Sequence, residues 1–129
     1  MRTSDQAVTA ANAAAGKAAS QVVLIDVSDL LGITDLFLIC SGRNERQVRT
    51  IAEEIERRVV EAYGRKPIRR EGERESKWVV LDYVDFVVHV FLEEQREYYN
   101  LERLWSDAPV IPIDDVLEDA HGAAAAEAT

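Results

Sequence analysis

The chain has 129 residues, 47% hydrophobic and 30% charged, the proportions of one soluble globular domain with an ordinary core. A single cysteine excludes an internal disulfide, and no apolar run approaches the roughly 18 residues that a membrane-spanning helix needs. The formal charge of −9 is uneven: residues 106–129 carry six acidic side chains and no lysine or arginine, while residues 1–105 carry fifteen basic against eighteen acidic, which argues against broad contacts with a nucleic-acid backbone.

Residues 4–19 have the alanine content of a helix, with Ser4 as its expected N-cap. Asp5 and Gln6 precede the alanines and no continuous apolar stretch follows, so this segment does not read as a signal peptide. With one cysteine, a reducing, cytoplasmic setting is expected. Residues 22–27 (VVLIDV) read as a strand, DLLGIT as a turn, and residues 35–42 (DLFLICSG) as a second strand apolar enough for burial on both faces. The clearest helix follows. Asn44 and Gln47 have capping-box spacing, Val48, Ile51, Ala52, Ile55 and Val59 keep one apolar face, and Gly64 is placed to end it, with Pro67 just beyond.

The stretch KPIRREG suits a short edge strand, since proline is tolerated at a sheet edge. Residues 77–83 (KWVVLDY) and 85–92 (DFVVHVFL) are two further strands joined by a tight turn, and a helix follows. On that helix Tyr98, Leu101, Leu104 and Trp105 share one stripe, whereas Tyr99 falls in a sector with Gln95, Glu102 and Arg103. The order of elements predicts an α+β (mixed α/β) fold of about five strands and three helices. The domain spans residues 1–108. Residues 109–129, acidic, broken by Pro109 and Pro112 and ending in HGAAAAEAT, are expected to form a disordered tail.

Candidate chemistry is sparse. Cys40 and His89 invite a thiol-enzyme reading, but Cys40 ends an apolar strand and no orienting third group is visible; His89, between Val88 and Val90, reads as structural or interfacial. The CSGRNERQV segment has strand–turn–helix geometry suited to an anion, yet lacks the glycine spacing and lysine of a P-loop. Metal-dependent nucleotidyl transfer needs carboxylates at i, i+2 on one strand, and Asp26 with Asp29 or Asp82 with Asp85 are not at that spacing. No metal site and no cofactor are predicted. The eight basic residues of 57–77, against four glutamates, read as solvated charge on a helix end and loop.

A binding surface remains. Strand parity puts Trp78, Val80 and Asp82 on one face of residues 77–83 and Val79, Leu81 and Tyr83 on the other, with Tyr83 at the strand's end where parity weakens. Trp78, Tyr83 and Tyr99 all fall near element ends, and aromatic side chains dominate interface hot spots. On residue type alone, covering the sheet explains Trp78 and Tyr83 as well as a contact does.

The segments DVSDLLGITDLFLICSGRNERQVRTIAEEIE, KWVVLDYVDFVVHVF and EEQREYYNLERLW, in that order and spacing, resemble the ribosomal silencing factor (iojap-like) family over residues 5–108. The resemblance implies a nucleotidyltransferase-like fold without catalytic carboxylates, hence no enzyme. It implies binding to the large ribosomal subunit through its fourteenth protein, which keeps the small subunit from joining and lowers translation under nutrient limitation. It places Trp78, Asp82, Tyr83 and Tyr99 at the partner contact; from the charge balance and the lack of a long apolar run, neither direct recognition of nucleic acid nor a membrane is expected. Many members have glycine where this chain has Val84, and a β-branched residue disfavours positive φ, so another turn type is expected there. Two competing readings are a residual nucleotidyltransferase holding phosphate at Ser41–Gly42 and an adaptor that homodimerises through the aromatic patch.

Overall fold

The computed structural model describes the backbone of residues 3–99 and 109–111, and their side chains except at positions 3, 30, 31 and 97–99. In chain order the elements are α1 (Thr3–Gly16), β1 (Ser20–Asp26), the one-turn α2 (Ser28–Leu31), β2 (Leu36–Gly42), α3 (Glu45–Tyr63), β3 (Arg69–Glu71), β4 (Trp78–Asp82), β5 (Phe86–Leu92), α4 (Glu93–Tyr99) and β6 (Val110–Ile111). The strands form one mixed sheet in the order β3-β4-β5-β2-β1-β6. Only β2 and β5 run parallel, from Leu36 opposite Phe86 to Gly42 opposite Leu92; the other pairs are antiparallel.

The fold class is the one predicted, with six strands rather than five. The sixth comes from the segment predicted to be tail: Val110 and Ile111 pair with Ile25 and Leu24, and the Asp26 N–H donates to the Pro109 carbonyl. At a sheet edge the proline's missing donor costs nothing. Leu101, Leu104 and Trp105 of the predicted core-facing stripe lie outside the described residues, as do the side chain of Tyr98 and the rest of the tail.

α3 forms because its sequence agrees with itself at every level. The Asn44 side chain accepts the Gln47 N–H at 2.8 Å, and the Gln47 carboxamide reaches back to the Arg43 N–H at 2.6 Å, one residue earlier than a strict capping box. Val48, Ile51, Ala52, Ile55 and Val59 are its buried residues, and Gly64 ends it in the left-handed conformation (φ 64°). α1 begins at Thr3, so Ser4 lies in its first turn and is not the cap. Its buried alanines, Ala7, Ala10, Ala11, Ala13 and Ala14, are small enough to let α1 pack closely on both α3 and the sheet.

These two helices seal one face of the sheet. Leu38, Cys40, Val79, Leu81, Val88 and Val90 form its floor, all essentially without solvent exposure. Gly42 permits the close approach of β2 to α3, since a Cβ there would stand 3.0 Å from both the backbone N and a methyl of Val48. The opposite face holds a smaller cluster of Ile25, Val27, Phe37, Ile39 and Phe91, with Val23, Trp78 and Val87 packed beside it.

Candidate docking surface

The second sheet face is where the predicted site residues have to be judged. Parity along β4 puts Trp78, Val80 and Asp82 there, each half-buried, opposite Phe91, His89 and Val87 of β5. The Trp78 ring lies 4.8 Å from that of Phe91. Its indole N–H donates to His89 Nδ1 at 3.2 Å, and Phe37 meets the imidazole edge-on at 4.6 Å. Because an indole only donates, Nδ1 must be unprotonated. Burial pushes the His89 pKa down to about 4, against a smaller opposing pull from the Asp82 charge, so the imidazole is neutral at physiological pH. His89 is thus a structural member of an aromatic row, as its strand position suggested.

Asp82 closes the β4–β5 turn: its carboxylate accepts the Val84 N–H at 2.8 Å. The Asp85 N–H donates to the Tyr83 carbonyl at 3.0 Å, and Val84 between them has φ 77°. That is a γ-turn of the rare positive-φ form, so the expectation that valine would impose another turn type is corrected. Arg65, just past the end of α3, fixes the turn from behind. Its guanidinium donates to the Tyr83 carbonyl, to the Asp85 carboxylate at 2.5 Å and to the Gln6 side chain at 2.6 Å. Local preference for negative φ is overridden by these tertiary bonds.

Tyr83 does not join Trp78 and Asp82. Its ring is wholly buried beneath the helix-covered face, stacked 4.6 Å from Phe86, and its hydroxyl has no hydrogen-bond partner among the described residues. Burial pushes its phenol pKa upward. A rim position for Tyr83 is therefore corrected: the parity of β4 carries one residue past the strand and turns the ring inward. Tyr99 closes the described part of α4; its side chain, and the face it takes, lie outside the described residues.

The polar groups at the strand ends that could serve catalysis are otherwise engaged. Cys40 and His89 sit on opposite sheet faces, and burial raises the Cys40 thiol to about 12; they form no dyad. Ser41 is buried and its hydroxyl accepts from Arg96 at 2.9 Å, while Asn44 occupies the N-terminus of α3. Gly42 is required by packing on Val48. Asp26 closes a turn just before α2, accepting from the Ser28 hydroxyl at 2.6 Å and the Ser28 N–H at 3.0 Å; those bonds lower its pKa. In the basic stretch Arg57 pairs with Glu54 and Glu61, Arg58 with Glu54, and Arg70 with Glu56, as solvated charge on a helix end and its loop would.

Two positioning residues escaped sequence reasoning, Arg65 and Arg96. Arg96 is buried on the second face, bonded to the Gln21 carbonyl at 2.6 Å and to Ser41, and so anchors α4 to a bulge in β1. Both read in the sequence as ordinary surface cations, and only tertiary structure supplies their acceptors.

The fold and this surface define a mixed α/β domain with one sheet face sealed by helices and the other aromatic, acidic at its edge and partly open. The family model described as "Ribosomal silencing factor during starvation" matches residues 1–129. A protein named ribosomal silencing factor RsfS from Halalkalibacterium halodurans is 44% identical over 108 residues, covering 84% of this chain and 92% of that relative. The protein of the same name from Bacillus subtilis is 42% identical over 105 residues, covering 81% and 88%. A crystal structure of a Chromobacterium violaceum protein superposes with a TM-score of 0.77 at 27% identity, covering 82% of this chain and 88% of that one. The chain belongs to the ribosomal silencing factor family.

Proposed function

We propose that this protein binds the large ribosomal subunit through its fourteenth protein and sterically prevents the small subunit from joining, repressing translation in the cytoplasm when nutrients are short. Docking uses the second sheet face, with Trp78 and Asp82 as contacts and Tyr99 on the adjoining helix. The observation that carries this reading is the pairing of family membership with a half-buried tryptophan and a half-buried carboxylate at the two ends of β4, on either side of Val80, on the face that α1 and α3 leave uncovered. An interface of about 800 Å² per partner is enough for stable docking. A protein of net charge −9 suits a basic ribosomal protein. The mechanism requires no turnover, cofactor or metal ion.

The test is co-sedimentation with purified large subunits, followed by addition of small subunits and measurement of the joined fraction. The wild type should co-sediment and reduce joining, and folded Trp78→Ala and Tyr99→Ala variants should do neither. Wild-type protein that fails to co-sediment at low and moderate salt would contradict the proposal. Sedimentation of the isolated protein as a dimer blocked from the subunit would instead favour a homodimeric adaptor.

A further inference from the structure

Among the described residues, five large hydrophobic side chains are exposed: Ile33, Val60, Ile68, Val84 and Val110. Three of them, Ile33, Ile68 and Val84, come from separate segments and converge on one cleft of about 240 Å³ beside the aromatic row. A single exposed isoleucine means little, but Ile33 at 81% and Ile68 at 66% exposure facing the same hollow do. The floor is Phe37, Val87 and His89. Among the described residues of its lining, Asp82 alone carries a formal charge. Thr34 stands in the same wall, 7% exposed, and its hydroxyl has no hydrogen-bond partner among the described residues, a condition folded proteins mostly avoid.

We propose that this cleft is a preformed socket for one aliphatic side chain of the docking partner, carried on a segment that also sets a lysine or arginine against Asp82. The inference rests on the docking function proposed above and names the chemistry of its contact. The volume is below the roughly 300 Å³ at which small-molecule and cofactor pockets begin, and suits one branched side chain. Two parts of the rim are held in place: Val84 by the Asp82 and Arg65 bonds to its turn, and Ile68 by its N–H donating to the Asp82 carbonyl at 2.8 Å. An apolar anchor in a pocket with a charge pair at its edge is the arrangement from which interface hot spots are made.

The test is the affinity for intact large subunits, read by co-sedimentation across protein concentrations, with thermal melting as the check on folding. The double variant Ile33→Asp/Ile68→Asp changes only exposed side chains and should bind at least about tenfold more weakly at wild-type melting temperature. Val87→Phe fills the cleft from its floor and should have a similar effect. Asp82→Asn keeps the turn, because an amide oxygen accepts the Val84 N–H equally well, and should bind several-fold more weakly with a shallower salt dependence. Wild-type affinity in the Ile33→Asp/Ile68→Asp variant, while Trp78→Ala abolishes binding, would overturn the socket and leave the docking function standing. Absence of binding by the wild type would overturn both. If Val87→Phe does not fold, the double variant decides alone.

Discussion

The two faces of the sheet use similar residues for different ends. Beneath α1 and α3, Leu38, Val79, Leu81, Val88 and Val90 are excluded from solvent, and even a tyrosine, Tyr83, is submerged there without a partner for its hydroxyl. On the other face, Trp78, Val80, Asp82 and Val87 remain half-exposed around a row of rings. Strand alternation alone makes this division, since neighbours one residue apart in β4 serve opposite faces. A face sealed by helices can only stabilise; a face left partly open can also recognise. Substitutions should therefore sort by face, the first set lowering stability and the second weakening docking.

The largest effect is expected on the sealed face. Leu38→Ala should cost about 3 kcal/mol of unfolding free energy, the usual consequence of a cavity at a fully buried leucine, measured by urea denaturation. Nearly as large is an effect of pH on the open face. His89 is held neutral with a pKa of about 4, against about 6.5 in an unfolded chain. Its contribution is fully present above pH 6.5 and is lost as the pH falls from 6.5 toward 4, because only the unfolded state binds the proton there. The loss should reach roughly 2 kcal/mol by pH 5. His89→Gln should remove that portion of the slope, read by comparing denaturation of the two proteins at pH 7.5 and 5.

Smaller effects sharpen the boundary between the faces. Gly42→Ala should destabilise by about 1–3 kcal/mol, because the new methyl must displace the first turn of α3. Asn44→Ala should cost about 1 kcal/mol through loss of the cap. Tyr83→Phe should leave stability unchanged or raise it by up to about 1 kcal/mol, since it removes a buried hydroxyl that makes no bond. It should also leave ribosome binding untouched. A docking defect in Tyr83→Phe would blur the division by face more than any other result.

Much of this was legible from local pattern. The cap, stripe and stop of α3 lie within one continuous segment, and the alternation of β4 correctly set Tyr83 against Trp78 even where its terminal position and the family resemblance drew Tyr83 toward the contact. What was not legible depends on distant parts of the chain. Val84 adopts positive φ because Asp82 and Arg65 hold the turn, against its own preference. β6 is two residues between prolines, too short to carry a period. Arg65 and Arg96 look like surface charge until their acceptors are brought in from positions up to 75 residues away. The cleft exists only where residues 33, 68 and 84 meet, and no single segment announces it.

If the open face docks and the sealed face does not, substitutions on the two should part in affinity. The most direct test is the affinity of Trp78→Ala and Asn44→Ala for large subunits, measured side by side at a temperature where both are fully folded. Trp78→Ala should bind at least about tenfold more weakly, as loss of an aromatic hot spot would cause, while Asn44→Ala should bind like the wild type. Equal affinities for the two variants would contradict this division by face.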